Sequence, residues 1–203
     1  MLVAAIVAAV VITGGVTATL VLALRGSGAS PQASEGPGTS SRTFTATSPW
    51  RLKIDASGYG NGCSLTYINT RTGNQHLLAS SLYGISTFQI SDTGTFRWRV
   101  NDGRCIVVPL RGTGTVHLPF TIDQFDASDS AVFTAPASVT VHVTNWYGDS
   151  SCKFGLSDPI TGDLLDIATA IRGRQETVTL DPGGRKQAYL GVSGCAVQVS
   201  SGR

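Results

Sequence analysis

The feature that most constrains the fold of this chain is an internal repeat that carries its cysteines with it. Phe44-Thr45-Ala46 recurs as Phe133-Thr134-Ala135, an offset of 89 residues. At that offset Trp50, Leu52 and Ile54 fall on Val139, Val141 and Val143, Cys63 falls on Cys152, and Thr72-Gly73 falls on Thr161-Gly162. Asp92 and Gly94 fall on Asp181 and Gly183, whereas Cys105 falls on Cys195 at an offset of 90, so one residue is inserted late in the second copy. A repeat of this length implies two copies of one small folding unit.

Within each copy the apolar residues alternate with polar ones. Trp50, Leu52 and Ile54 alternate with Arg51 and Lys53, and Phe96, Trp98 and Val100 alternate with Arg97 and Arg99. Val139, Val141 and Val143 alternate with Thr140 and His142. Period two is the signature of strands with one buried face. The turns between them are rich in Gly and Asn, which accept positive φ. Charged residues are only 14% of the chain, so the helix-forming composition is missing. The expected fold is all-β: two tandem disulfide-stapled β-sandwich domains, Ig-like or jelly-roll-like, each of about seven strands. The stretch Asp163 to Arg172 is read as strand and loop, not helix.

Four cysteines allow three pairings. Self-contained copies select Cys63–Cys105 and Cys152–Cys195. A sandwich of this size buries a small core and gains from such a staple. Structural zinc sites usually bring cysteines in close pairs, and none occurs here, so disulfides are favoured over a metal. Disulfides place the repeats in an oxidising compartment.

Ahead of the repeats, Leu2 to Leu24 is a run of 23 residues without a charge. That is long enough to cross a bilayer as one helix. Residues 1–24 are therefore expected to be a transmembrane signal-anchor, with a cleaved signal peptide as the alternative. Small residues suit cleavage near Leu24 and near Ser30. Arg25 follows the span, which by the positive-inside rule favours the opposite orientation; the cysteines outweigh it. Residues 25–43, rich in Gly, Ser and Pro, read as a flexible linker. The remaining boundaries are 44–120 for the first sandwich, 121–132 for a connector and 133–203 for the second.

Net charge is +2, too small to imply nucleic acid, but the halves differ. Phe44 to Phe120 holds seven Lys and Arg against three Asp, and Thr121 to the end holds six against nine acids. The best binding candidate is Arg51, Lys53, Arg97 and Arg99: all should point outward, and if their two strands are neighbours they form a patch suited to an anionic envelope polymer or lipid headgroups. Asp123, Asp126 and Asp129, and likewise Asp158, Asp163 and Asp166, are calcium-like in type but not in spacing, and a solvated connector is the preferred reading of the first group. His76, His117 and His142 share no metal-binding spacing and read as surface residues. Gly148 to Ser151 loosely resembles a serine-protease nucleophile loop, but Cys152 follows where a Gly is needed. No catalytic residues, metal ligands or cofactor are expected.

Each copy ends in a strand, a Gly turn, a Cys and a last alternating strand: Phe96 to Val100 then Gly103-Arg104-Cys105, and Tyr189 to Val192 then Gly194-Cys195. Over residues 44–110 and 133–200 this resembles the small uncharacterised β-sandwich repeats of bacterial cell-surface proteins, with Ile106 and Ala196 where those repeats often carry Trp. The resemblance implies a surface location and no activity. The expectation is a non-enzymatic binding or structural protein of the cell envelope, held to the bilayer through residues 2–24 with its C-terminal domains outside. The alternative is a cleaved, secreted carbohydrate- or polymer-binding protein. Expected partners are the bilayer, and an anionic polymer or another surface protein.

Overall fold

A computed structural model describes residues 32–34, 38–40, 42–123, 126–148 and 150–202. The anchor or signal segment expected over residues 1–24 lies outside these residues, and among the described residues no helix is long and apolar enough to cross a membrane. The described chain is all-β. The first copy comprises β1 (Gln32–Ser34), β2 (Gly38–Thr39), β3 (Phe44–Ala46), β4 (Trp50–Asp55), β5 (Cys63–Asn69), β6 (Gln75–Leu82), β7 (Ile85–Ile90), β8 (Gly94–Gly103) and β9 (Cys105–Arg111). The second comprises β10 (Phe120–Ile122), β11 (Ser128–Asp129), β12 (Phe133–Thr134), β13 (Val139–Trp146), β14 (Ser151–Ser157), β15 (Leu164–Ile171), β16 (Thr177–Leu180), β17 (Gln187–Ser193) and β18 (Cys195–Ser201). Asp163 to Arg172 does hold a strand, β15.

Both copies have the same wiring. One sheet runs β1-β9-β4-β7 and its counterpart β10-β18-β13-β16. The facing sheets run β2-β8-β5-β6 and β11-β17-β14-β15, with β3 and β12 added beside β8 and β17. Setting aside β3 and β12, the eight strands of each copy form two antiparallel four-stranded sheets in the order of a jelly roll. Each pair of sheets encloses its own core. The first is aromatic: Trp50 lies 4.9 Å from Phe44 and 5.2 Å from Phe96, centroid to centroid, and its Nε1 donates to the Asp92 carbonyl at 3.0 Å. The second is aliphatic, with Val139, Val141, Leu156, Leu190 and Val199 fully buried.

The cysteines pair as expected. Cys63–Cys105 joins β5 to β9 and Cys152–Cys195 joins β14 to β18, so each bond ties one sheet to the other across the core. The turn before Cys105 requires glycine: Gly103 has φ +72°, and an added Cβ would stand 1.8 Å from the Gly62 carbonyl oxygen.

Three expectations need correction. The linker read over 25–43 contributes β1, which pairs with β9, and β2, which pairs with β8. The connector read over 121–132 contains β11 and most of β10, the matching strands of the second copy. Each unit is therefore about a dozen residues longer at its front than the apolar pattern indicates, with nine strands instead of seven. These strands are only two or three residues long; backbone pairing holds them, and so short a run leaves little alternation to read. The late insertion is also more complex. Trp50 pairs with Ile90 as Val139 does with Leu180, and Leu65 pairs with Val100 as Phe154 does with Val192. The second copy gains residues before β17, and the first regains two before Cys105, at the register shift opposite Ser64 and Leu65.

The acidic connector joins the two sandwiches. β7 is an edge strand, and unpaired edge N–H groups need partners. Ser128 Oγ accepts from Thr87 N at 3.1 Å and Asp129 Oδ2 accepts from Gln89 N at 2.8 Å. Gln89 Nε2 donates in return to the carbonyls of Ser130 (2.7 Å) and Thr113 (3.0 Å). Asp126 Oδ2 accepts from both Tyr83 N and Gly84 N at 2.6 Å. Because Asp126→Ala would strip two N–H groups of a charged acceptor, it is expected to cost about 2 kcal/mol in urea unfolding; a loss under about 0.5 kcal/mol would show that water replaces the carboxylate.

Candidate binding face

The basic strands are not neighbours. β4, with Arg51 and Lys53, lies in one sheet of the first sandwich, and β8, with Arg97 and Arg99, lies in the other. The four side chains alternate with core residues as expected, so they leave the sandwich on opposite faces and form no single patch. Nor are the arginines simply free. Arg51 Nε donates to the Gly112 carbonyl at 3.3 Å. Arg99 donates to Gln75 Oε1 and Asn101 Oδ1, both at 3.0 Å, and Asn101 Nδ2 donates to Thr66 Oγ1 at 2.7 Å. A surface network of this kind holds the β5, β6 and β8 side chains flat against their sheet.

The histidines and acids are likewise engaged. His142 is exposed and shares a 2.9 Å hydrogen bond with Thr177 Oγ1. His76 stacks on Tyr67 at 4.8 Å and stands 3.8 Å from Asp92 Oδ2, which accepts from the Tyr67 hydroxyl at 2.9 Å. Burial, reinforced by Asp92, holds the Tyr67 hydroxyl well above its usual pKa, so it serves as a donor that closes the rim of the aromatic core. Asp158 accepts from Ile160 N and Thr161 N and pairs with Arg185 at 3.4 Å; Asp166 accepts from Ile167 N and Asp181 N. Asp123 accepts from the Tyr147 hydroxyl. The connector acids thus turn to separate partners, and no group of three metal-ligating side chains occurs among the described residues.

The chemistry that stands out is on the outer face of β11-β17-β14-β15, which the sequence reading did not single out. Strand register sets one row across this sheet: Asp129 opposite Gly191, Gly191 opposite Gly155, Gly155 opposite Ile167. Two glycines side by side leave the backbone bare, where the first copy carries Thr66 and Arg99 at the matching places. The result is a shallow cavity of about 250 Å³ bordered by Asp129, Lys153, Ile167 and Ser193. Ile167 on its outer side is 64% exposed. At its inner end lies the Asp129 carboxylate. Burial pushes its pKa up to about 7, and the hydrogen bond from Gln89 only partly opposes that rise. Tyr189, in the next row of β17, has its hydroxyl raised first by burial and then by the charge of Asp129. The available sign was glycine at the outward position of two strands, where a polar residue is the norm.

No protein-family model matches the chain, and no curated protein matches it in sequence.

Proposed function

We propose that this chain is a membrane-anchored, extracytoplasmic protein of the cell envelope that binds or spaces other envelope components without catalysis. The observation that carries this reading is the pair of buried disulfides, each joining the two sheets of one sandwich. Such bonds persist in oxidising compartments. The charge-free run from Leu2 to Leu24 supplies the anchor. The connector hydrogen bonds support a spacer role, since they join the sandwiches into one unit instead of leaving a hinge. The cleaved, secreted alternative draws support from β1: its first residue, Gln32, follows both candidate cleavage points, so either cut would leave the jelly roll whole.

The test uses the full chain in its own host. Cells quenched in acid are alkylated with a maleimide polymer before or after reduction, and membranes are washed with carbonate. All four cysteines are expected to react only after reduction, with the protein in the membrane pellet. Free thiols in quenched cells would overturn the compartment. A soluble product beginning at Leu24 or Ser30 would replace the anchored form by the secreted one.

A further inference from the structure

We propose that the glycine-floored cavity on the second sandwich is a binding site for one uncharged, hydroxyl-bearing ring, the sugar residue of a neutral glycan. This deepens the binding role proposed above and rests on it.

Shape argues first. Gly155 and Gly191 are direct cross-strand neighbours, and without Cβ atoms they let a flat ring approach the backbone. The first copy offers no such floor, because Thr66 and the Arg99 network cover the same place. At Gly155 the fold does not require glycine: it has no positive φ, and an added Cβ there would meet only the tip of Leu164, at 3.2 Å.

The Asp129 carboxylate gives the chemistry. Its Oδ2 is taken by Gln89 N, whereas among the described residues no donor reaches Oδ1. That oxygen lies over the floor, since a Cβ on Gly191 would stand 2.9 Å from it. A carboxylate oxygen left open over bare backbone, on a residue only partly exposed, favours a ligand that donates a hydrogen bond. Charge then narrows the class. Lys153, on the rim, opposes a cationic ligand, and Asp129 opposes an anionic one. A hydroxyl can donate to Asp129 while its neighbours accept from Lys153 or Ser193, and the apolar Ile167 faces the carbon skeleton of the ring. Small, shallow and open at the side, the cavity suits one residue of a longer chain better than an engulfed metabolite.

The experiment titrates the full-length protein, held in a detergent without a sugar headgroup, with maltoheptaose, cellohexaose and chitohexaose in a calorimeter. Polygalacturonate is the charged comparison. Binding of at least one neutral glycan is expected, stronger than that of polygalacturonate. Gly155→Thr copies the residue of the first sandwich and fills the floor, and Asp129→Asn keeps an acceptor for Gln89 while removing the open carboxylate oxygen. Each is expected to weaken binding about tenfold or more, the equivalent of one lost charge-assisted hydrogen bond or of a blocked contact surface. Thermal unfolding of both variants verifies that the sandwich remains folded. Binding by none of the three glycans overturns the inference, as does binding that both folded variants retain in full. The two readings fail separately: a disulfide-bonded envelope protein that ignores all three glycans loses only this inference, whereas free thiols in cells would count against the envelope reading alone.

Discussion

Replacing Cys63 and Cys105 together by alanine is expected to lower the stability of the protein by about 4 kcal/mol, and replacing Cys152 and Cys195 by a similar amount. The two bonds close loops of nearly equal length, with sequence separations of 42 and 43. In the chain-entropy account a loop of that size, left open in the unfolded state, is worth about 4 kcal/mol. A domain this small has total stability toward the lower end of the usual 5–15 kcal/mol, so the loss removes most of what either sandwich has. All four cysteines are buried to within 1%, so the folded protein should also resist reductant until urea opens it. Urea unfolding with and without reductant checks both statements. A double variant within about 1 kcal/mol of the wild type would mean that the sheets hold together by packing alone and that the bond is incidental to the fold.

How much of this was legible beforehand depends on which atoms leave a trace in the sequence. The long strands were readable because one face of each is buried: Trp50, Leu52 and Ile54 had to alternate with Arg51 and Lys53 whatever the topology. The disulfide pairing was readable because the repeat made it a question of symmetry. The partner strand of β4 was not, because alternation says which face a side chain takes and nothing about which strand lies alongside. That is why four outward cations looked like one patch and proved to be two pairs on opposite faces. The short strands β1, β2, β10 and β11 were invisible for a different reason: they are held by backbone hydrogen bonds, which every residue but proline can make. Asp126 and Asp129 belong to the same class. As acids in a Ser- and Ala-containing stretch they read as solvated, yet their carboxylates serve backbone N–H groups of the neighbouring sandwich. Gly155 and Gly191 had a weak signal, but only strand register shows that the two gaps are side by side.

Asp129 should also make the protein less stable as the pH rises from about 4 to about 7, the reverse of what a carboxylate in a salt bridge does. The direction follows from its environment. Burial holds its folded-state pKa at about 7, against an ordinary value of 3.8, and the Gln89 N–H opposes this only in part. Between those two values the folded protein keeps a proton that the unfolded chain has released. Stability therefore falls with each unit of pH across that window and levels off above it. At 1.36 kcal/mol per unit the full span amounts to about 4 kcal/mol, an upper bound because local relaxation and water entry would narrow it. The nearby Tyr189 hydroxyl, whose own pKa is raised, stays protonated across this range. Asp129→Asn removes the ionisation while leaving an amide oxygen to accept from Gln89. At pH 8 the variant should be more stable than the wild type by about 3 kcal/mol, and below pH 4 the two should be nearly equal. Urea midpoints of both proteins from pH 4 to pH 8 read the difference directly, since every other titrating group is common to the pair. Parallel curves would mean that the carboxylate is well solvated and that burial does not raise its pKa. Convergence at low pH and separation at high pH would instead identify the group that both joins the sandwiches and closes the inner end of the cavity.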